Sequence, residues 1–218
     1  MVQVTYYLEV SSSWCFWAEP AWEELKQRYQ GRVNFDWKIS QMPAEGYPVS
    51  RGQCEWFYRR SGSIIRSPFM LNAGWFEPEI KQYTAPNLVA QAAKELGATD
   101  DGVRLAIANA GLRDGKKIGR LDVCVQIAAE AGRLDPSTLR VRAQSPETAA
   151  AVQATTTEFF ALQVTQRPTF LIQNSIGDRA LFSGIARTEP VAVAIDALMA
   201  DEVAYVSWKA HFGDPPTQ

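Results

Sequence analysis

The sequence predicts an α/β fold, because a strand, a helix and a second strand follow one another at the start of the chain. Apolar and polar residues alternate over residues 2–10 and again over residues 33–39, which is typical of strands. Between them, apolar residues recur at helical spacing over about residues 13–29, and Gly31 follows as a stop signal. A β-α-β start predicts parallel strands joined by a right-handed crossover.

Residues 41–74 break this regular pattern. Glycines and prolines interrupt the stretch, which is unusually rich in aromatic residues and arginines: Tyr47, Trp56, Phe57, Tyr58, Phe69, Arg51, Arg59, Arg60 and Arg66. Such clusters in loops line substrate pockets and interfaces. The rings could equally cover the sheet while the arginines lie in water, and the sequence leaves both interpretations open.

A helical segment follows before the chain returns to strands. Capping and stop signals predict helices over residues 87–96, 99–110 and 120–131, from Asp135-Pro136, and from Pro146 to about residue 162. Residues 169–172 and 180–183 are predicted to form a hairpin around a turn-rich connection. A last helix is predicted from Thr188, and the tail from Gly213 to Pro216 is predicted to be disordered.

Composition narrows the classes of function. The 218 residues are 46% hydrophobic and 21% charged, which suits a globular protein with one core or one domain carrying a large insertion. A net charge of −2 gives no electrostatic case for nucleic acid or an anionic membrane surface. Neither a transmembrane run nor a secretory signal is visible. We therefore expect a cytoplasmic protein whose partner is neither nucleic acid nor a membrane.

The cysteines and the histidine limit the possible chemistry. Cys15, Cys54 and Cys124 are widely spaced, which predicts reduced thiols and gives no metal-ligand pattern. Cys124 lies on the apolar face of a predicted helix, as a small buried residue would, whereas Cys54 is left unassigned. His211 is the only histidine, so neither a Ser-His-Asp hydrolase nor a metal site is expected.

The serine-rich turn between the first strand and the first helix is where we expect the chemistry. The first turn of a helix presents unpaired N–H groups and a partial positive charge, which favour an anion such as a thiolate. Ser12 and Cys15 lie at this turn and are the candidate catalytic residues. The alternative is that the serines only cap the helix, because serine is a preferred N-cap residue.

Three features resemble the thioredoxin superfamily. Ser12-Ser13-Trp14-Cys15 fills the frame of its Cys-x-x-Cys motif, with serine at the first position. Pro20 stands where many members carry a proline in this helix, and Arg167-Pro168-Thr169 resembles the cis-proline before a strand. The long helical insertion resembles the DsbA-like branch, and within it the kappa-class glutathione transferases and 2-hydroxychromene-2-carboxylate isomerases.

This resemblance implies a thioredoxin-like fold with a large α-helical insertion domain. The thioredoxin-like domain would comprise residues 1–40 plus 163–218, and residues 41–162 would form the inserted helical domain with its aromatic loop. Members of the group are often dimers, so a homodimer is also implied as an analogy.

The resemblance further implies a glutathione site. Ser12 would hold the glutathione sulfur, and backbone atoms of Arg167, before Pro168, would pair with its cysteinyl part. The group's Gly-x-Asp-Arg element binds the γ-glutamyl end; here Ala186 replaces the aspartate, with Ile185 beside it. The other predicted contacts are Ser13, Trp14, Gly184 and Arg187.

Three functions follow from these residues. In the first, glutathione held by Ser12 serves an isomerase or transferase that acts on a small apolar or aromatic electrophile, with residues 47–76 supplying the pocket. In the second, Cys15 has a lowered pKa and performs monothiol exchange, without a resolving partner in the frame. In the third, the scaffold is non-catalytic and binds a peptide or apolar ligand through an exposed Trp14-Phe16-Trp17 cluster.

Overall fold

The computed structural model describes residues 1–184 and 187–215. Its helices and strands are β1 (Gln3–Leu8), α1 (Ser13–Arg28), β2 (Asn34–Ile39), α2 (Arg51–Ile64), α3 (Ala85–Glu95), α4 (Gly102–Leu112), α5 (Leu121–Gly132), α6 (Pro136–Ala143), α7 (Pro146–Ala161), β3 (Thr169–Gln173), β4 (Arg179–Ser183) and α8 (Thr188–Phe212). The predicted α/β fold is confirmed. In the described part of the chain, no helix is long and apolar enough to cross a membrane.

The strands form one mixed sheet. Across the described residues it has four strands in the order β2-β1-β3-β4. β1 pairs in parallel with β2, as the β-α-β start predicts, and antiparallel with β3. β3 and β4 form the predicted antiparallel hairpin. The strands therefore come from the two ends of the chain, and α2 to α7 lie between them in sequence.

Alternate residues of β1 face two different layers of helices. Tyr6 stacks on Phe170 of β3, with ring centroids 4.9 Å apart, and packs against Trp22 of α1. Its neighbour Tyr7 packs against Phe159 of α7 on the opposite face. Both tyrosines are fully buried, because helices cover both faces of this inner strand. α7 thus packs on the sheet although it lies within the segment 41–162.

The final helix packs on α1 through its first half. The hydroxyl of Tyr29, at the end of α1, donates to the carbonyl of Ala192 at 3.0 Å. Val191, Ile195 and Leu198 are buried. From residue 203 onward the helix is exposed, up to Phe212. Of the tail predicted to be disordered, residues 213–215 are exposed, and Pro216 lies outside the described residues.

The irregular pattern expected for residues 41–74 is wrong for its central part, which forms α2. Ser50 caps this helix, since its side chain accepts the backbone N–H of Gln53 at 3.1 Å. Two glycines inside α2 weakened the helix pattern, because glycine disfavours helix interiors. A Cβ at position 62 would lie 3.1 Å from the sulfur of the half-exposed Met70. Cys54 therefore lies on a helix and is buried.

A buried ionic network joins α1 to α4. Arg104 is only 3% exposed, and its guanidinium donates to the carboxylates of Glu19 and Asp101. Asp101 also accepts the indole N–H of Trp22 at 3.0 Å and the ammonium of Lys26 at 2.6 Å. Each buried charge in this network thus has an opposite charge or a hydrogen bond to compensate its burial.

Candidate functional site at the start of the first helix

Ser12 is the N-cap of α1. Its Oγ accepts the backbone N–H of Cys15 at 3.4 Å, and its carbonyl accepts the N–H of Phe16 at 2.9 Å. The capping role proposed as the alternative is therefore present in the structure. The hydroxyl of Ser12 can still donate a hydrogen bond, because an oxygen that accepts one hydrogen bond retains its own proton. The backbone N–H groups of Ser13 and Trp14 have no intrahelical acceptor at this position.

Cys15 is buried below this turn. It is 2% exposed, and its Sγ accepts the backbone N–H of Glu9 at 3.4 Å. Burial raises the pKa of the Cys15 thiol to about 12, and its hydrogen bonds with Glu9 and Ser12 offset this only in part. The expectation of a lowered pKa at Cys15 is therefore corrected: the helix N-terminus does not compensate for removing a thiolate from water.

The segment around Pro168 lies beside the same turn. The Arg167–Pro168 peptide bond is cis, and Pro168 is buried. The guanidinium of Arg167 donates to the backbone carbonyls of Ser40 and Gln41 and lies 4.5 Å from the ring centre of Phe159. The guanidinium is therefore occupied within the protein. The resemblance assigns only the backbone of Arg167 to glutathione.

A cavity of about 230 Å³ opens at this point. The predicted residues Ser12, Ser13, Trp14 and Arg167 all line it, and so do aromatic residues of the stretch 47–76: Tyr47, Phe57, Tyr58 and Trp75. Cys54 and Arg60 of α2 complete this wall. Other members of the stretch, such as Phe69 and Arg66, line a different cavity.

Only Gly184 and Arg187 of the predicted γ-glutamyl element are among the described residues. Gly184 and Arg187 are exposed, and neither lines the cavity. The N–H of Gly184 donates to the carbonyl of Pro168 at 2.7 Å, which places it next to the cis-proline. Ile185 and Ala186, on which the departure from the family motif rests, lie outside the described residues.

Glu9 belongs to the site, although the sequence analysis did not single it out. It is fully buried. Its carboxylate accepts hydrogen bonds from the hydroxyl of Ser11 at 2.9 Å, the amide of Asn87 at 2.8 Å and the backbone N–H of Met42 at 2.9 Å. The carboxylate thereby fixes the serine turn to α3 and to the loop after β2. The sequence does contain a signal for Glu9, because an acidic residue stands at the end of an apolar strand, directly before this turn.

Replacing Glu9 with glutamine should change how stability depends on pH. Burial raises the pKa of Glu9 above its usual range despite its hydrogen bonds. A raised folded pKa means that the carboxyl's stabilising contribution is complete below the unfolded pKa of about 4.3 and is lost as pH rises through the folded pKa. Each unit of that rise is worth about 1.4 kcal/mol at high pH.

Glutamine suits this place, because its oxygen can accept from Met42 and Asn87 while its NH₂ faces the hydroxyl of Ser11. Urea unfolding at a series of pH values is the measurement. We expect the Glu9→Gln variant to gain stability relative to the wild type between about pH 4 and pH 8. Other titrating groups are common to both proteins and cancel. A difference that stays constant over this range would contradict the assignment.

The sheet has the order β2-β1-β3-β4, α1 packs against it, and Arg167, before the cis-proline, lines the same cavity as Ser12. These features define a thioredoxin-like protein with an inserted set of helices. The family model of the DsbA-like thioredoxin domain matches residues 3–196. The chain therefore belongs to the DsbA-like thioredoxin family.

Solved structures show the same fold. A protein from Nitrosomonas europaea, described as a candidate protein disulfide isomerase, superposes with a TM-score of 0.76 at 16% identity, over 92% of this chain and 98% of that one. The cytosolic disulfide reductase DsbM from Pseudomonas aeruginosa gives 0.68 at 16% identity, over 94% and 99%. DsbM with GSH gives 0.63 at 17% identity, over the same shares. No curated protein sequence matches the chain.

Proposed function

We propose that the protein is a glutathione-dependent isomerase or transferase for a small apolar or aromatic electrophile, akin to the kappa-class and 2-hydroxychromene-2-carboxylate isomerase group. The observation that carries this proposal is the position of Ser12, which caps α1 in a cavity also lined by Arg167, the residue before the cis-proline. A serine in the place of the motif's first cysteine leaves no dithiol pair in the frame. An external thiol can occupy that place instead.

Ser12 acts as a hydrogen-bond donor in this proposal. A serine hydroxyl stays protonated without a base, and the only histidine, His211, lies in the last turn of α8. A hydrogen bond to a charged acceptor is worth about 1.5–3 kcal/mol, or about one to two pK units on the bound thiol. The first-turn amides of α1 add their partial positive charge.

The bound thiolate would attack an electron-poor carbon of the substrate. The sulfur's electron pair forms the new C–S bond, and the substrate's π electrons move onto its electron-withdrawing group. Isomerisation follows if the bond rotates and the thiolate leaves again; transfer follows if the adduct is protonated and released. The aromatic wall from Tyr47 to Trp75 suits a flat apolar substrate.

Calorimetry with glutathione and S-methylglutathione tests this proposal. We expect glutathione to bind, and S-methylglutathione to bind more weakly, because it cannot ionise to the thiolate that Ser12 would hold. No heat at millimolar glutathione would contradict the proposal and favour the non-catalytic scaffold. The solved structure of DsbM with GSH supports the choice of ligand, and because DsbM is described as cytosolic we propose the cytoplasm as the location.

Monothiol exchange is a second candidate, because Cys54 lines the same cavity as Ser12. Burial raises the pKa of Cys54 to about 11, which disfavours its thiolate at neutral pH. Exchange with oxidised glutathione would form one mixed disulfide and release one glutathione thiolate. Mass spectrometry of the protein after incubation with oxidised glutathione detects this adduct and locates it on Cys54 or Cys15.

Replacing Cys15 with serine tests whether this thiol takes part in turnover. A serine oxygen can accept the N–H of Glu9 as the thiol does, so the variant should fold. We expect glutathione-dependent turnover to remain largely unchanged, because Cys15 is buried beneath the cavity and does not line it. Turnover that disappears in Cys15→Ser, while the circular dichroism spectrum is retained, would instead assign the chemistry to this thiol.

A further inference from the structure

A second cavity, of about 610 Å³, lies on the flank of α1. Its walls are mostly apolar and come from three places: Phe16, Trp17 and Pro20 on α1, Phe69 in the segment after α2, and Leu105 on α4. Its volume falls within the range of small-molecule sites. Among the described residues, no lining residue is shared with the cavity at Ser12.

The apolar wall of this cavity is fixed by packing. Trp17, expected from the sequence to be exposed, is only 8% exposed, and its indole N–H donates to the hydroxyl of Ser61 at 3.1 Å. Its ring centre lies 5.3 Å from those of Phe16 and Phe69. A wall held in this way exists before a ligand arrives, so binding would not have to order it.

The negative residues that line this cavity form ion pairs, whereas its two positive residues do not, within the described part of the chain. The three carboxylates on its lining are already paired and share two cations. Arg104 pairs with Glu19 and Asp101, and Lys26 pairs with Glu23 and Asp101. The exposed lining residues Arg66 and Arg113, by contrast, form no ion pair with any described residue. The guanidinium carbon of Arg113 lies 3.8 Å from the ring centre of Phe69. The charges left to a ligand are therefore positive and lie beside an apolar wall.

The backbone conformation at Arg66 allows this side chain to be tested by substitution. Arg66 follows the C-cap Ile65 of α2 and has a φ of 55°, a left-handed conformation in which glycine is the usual residue. An arginine is less stable than glycine in this conformation. The backbone should therefore tolerate glycine at position 66, as it would at Arg133 and Gln163, which have φ values of 52° and 59°.

We propose that this cavity binds a small apolar monocarboxylate, with its carboxylate at Arg66 and Arg113 and its body against Phe16, Trp17 and Phe69. Guanidinium groups suit carboxylates, because their N–H donors match the two oxygens. The site is distinct from the one at Ser12 and does not depend on the function proposed there.

Calorimetry with matched probes tests the charge preference. Naphthoate and decanoate represent aromatic and aliphatic carboxylates. Naphthol keeps the ring without a charge, and naphthylmethylammonium keeps the ring with a positive charge. We expect a carboxylate probe to bind and the ammonium probe not to bind, and the stronger of the two carboxylates tells which body the wall prefers. Absence of carboxylate binding, or equal binding of naphthoate and naphthylmethylammonium, would overturn the proposal.

Variants of the full chain test the location. We expect Arg113→Gln and Arg66→Gly each to weaken carboxylate binding by about fivefold or more. This is less than for a buried guanidinium, because solvent screens the charge of both exposed arginines. Arg66→Gly should also raise the melting temperature, which separates lost binding from lost folding. Leu105→Trp should fill the cavity and reduce binding.

The control is Arg59→Gln, which changes an exposed arginine that lines neither cavity. This variant should bind the carboxylate as the wild type does. Weakening in this control that equals the weakening in Arg113→Gln would place the ligand elsewhere and overturn the proposal.

Discussion

Replacing Ser12 with alanine should lower glutathione-dependent turnover by about tenfold or more, because a hydrogen bond to a charged sulfur worth about 1.5–3 kcal/mol is lost. The loss should appear in kcat/KM measured at neutral pH, where the thiolate fraction of the bound glutathione falls. It should shrink at alkaline pH, where the thiol ionises without assistance. Unchanged turnover at neutral pH would refute the role of Ser12.

Two variants separate this effect from capping. Ser12→Ala also removes the N-cap of α1, which costs about 1 kcal/mol of stability. Ser145→Ala removes the equivalent bond to Thr148 at the start of α7, away from the cavity, and should cost similar stability without loss of turnover. Ser12→Asp keeps a capping acceptor but sets a negative charge against the thiolate, so it should be stable and inactive. Equal loss of turnover in Ser145→Ala would mean that capping alone explains the result.

Replacing Arg104 with methionine should destabilise the protein by about 3–5 kcal/mol, the usual cost of breaking a buried ion pair from one side. The substitution leaves the carboxylates of Glu19 and Asp101 without the cation that joins them. Tyr6 and Trp37 would also lose the guanidinium that lies 5.5 Å and 5.7 Å from their ring centres. Urea unfolding at neutral pH measures this change.

An exposed ion pair is the matched control. Arg28 of α1 pairs with Asp196 of α8 at 3.1 Å, and both side chains are about half exposed. Arg28→Met should therefore cost about 0–1 kcal/mol, because solvent screens exposed pairs. Similar losses of unfolding free energy in the two variants would mean that burial does not determine how much the Arg104 network stabilises the protein.

Periodic sequence patterns predicted the elements whose burial is regular. The first strand, the first helix and the final hairpin were expected within a few residues, because their apolar residues face packed layers at a period of two or 3.6. α2 was missed because Gly52 and Gly62 lie inside it, and glycine disfavours helix interiors.

The sequence predicted the part of the candidate site that depends on neighbouring residues in the chain. Ser12 caps the helix as a local motif, whereas its meeting with Arg167 depends on the sheet. The register pairs Tyr7 of β1 with Thr169 of β3, so the residues just before Thr169 lie beside the turn that follows β1. The high pKa of Cys15 and the burial of Glu9 could not be predicted from spacing, because they depend on how many atoms exclude water from each group.

The proposed role of Ser12 can be measured as the thiol pKa of bound glutathione. Ultraviolet difference titration of the thiolate in the complex gives this value, with free glutathione and the complex of Ser12→Ala as references. We expect a bound thiol pKa about one to two units below that of free glutathione, and a value closer to free glutathione in Ser12→Ala. Equal values in the wild-type complex and in free glutathione would contradict the proposed role of Ser12.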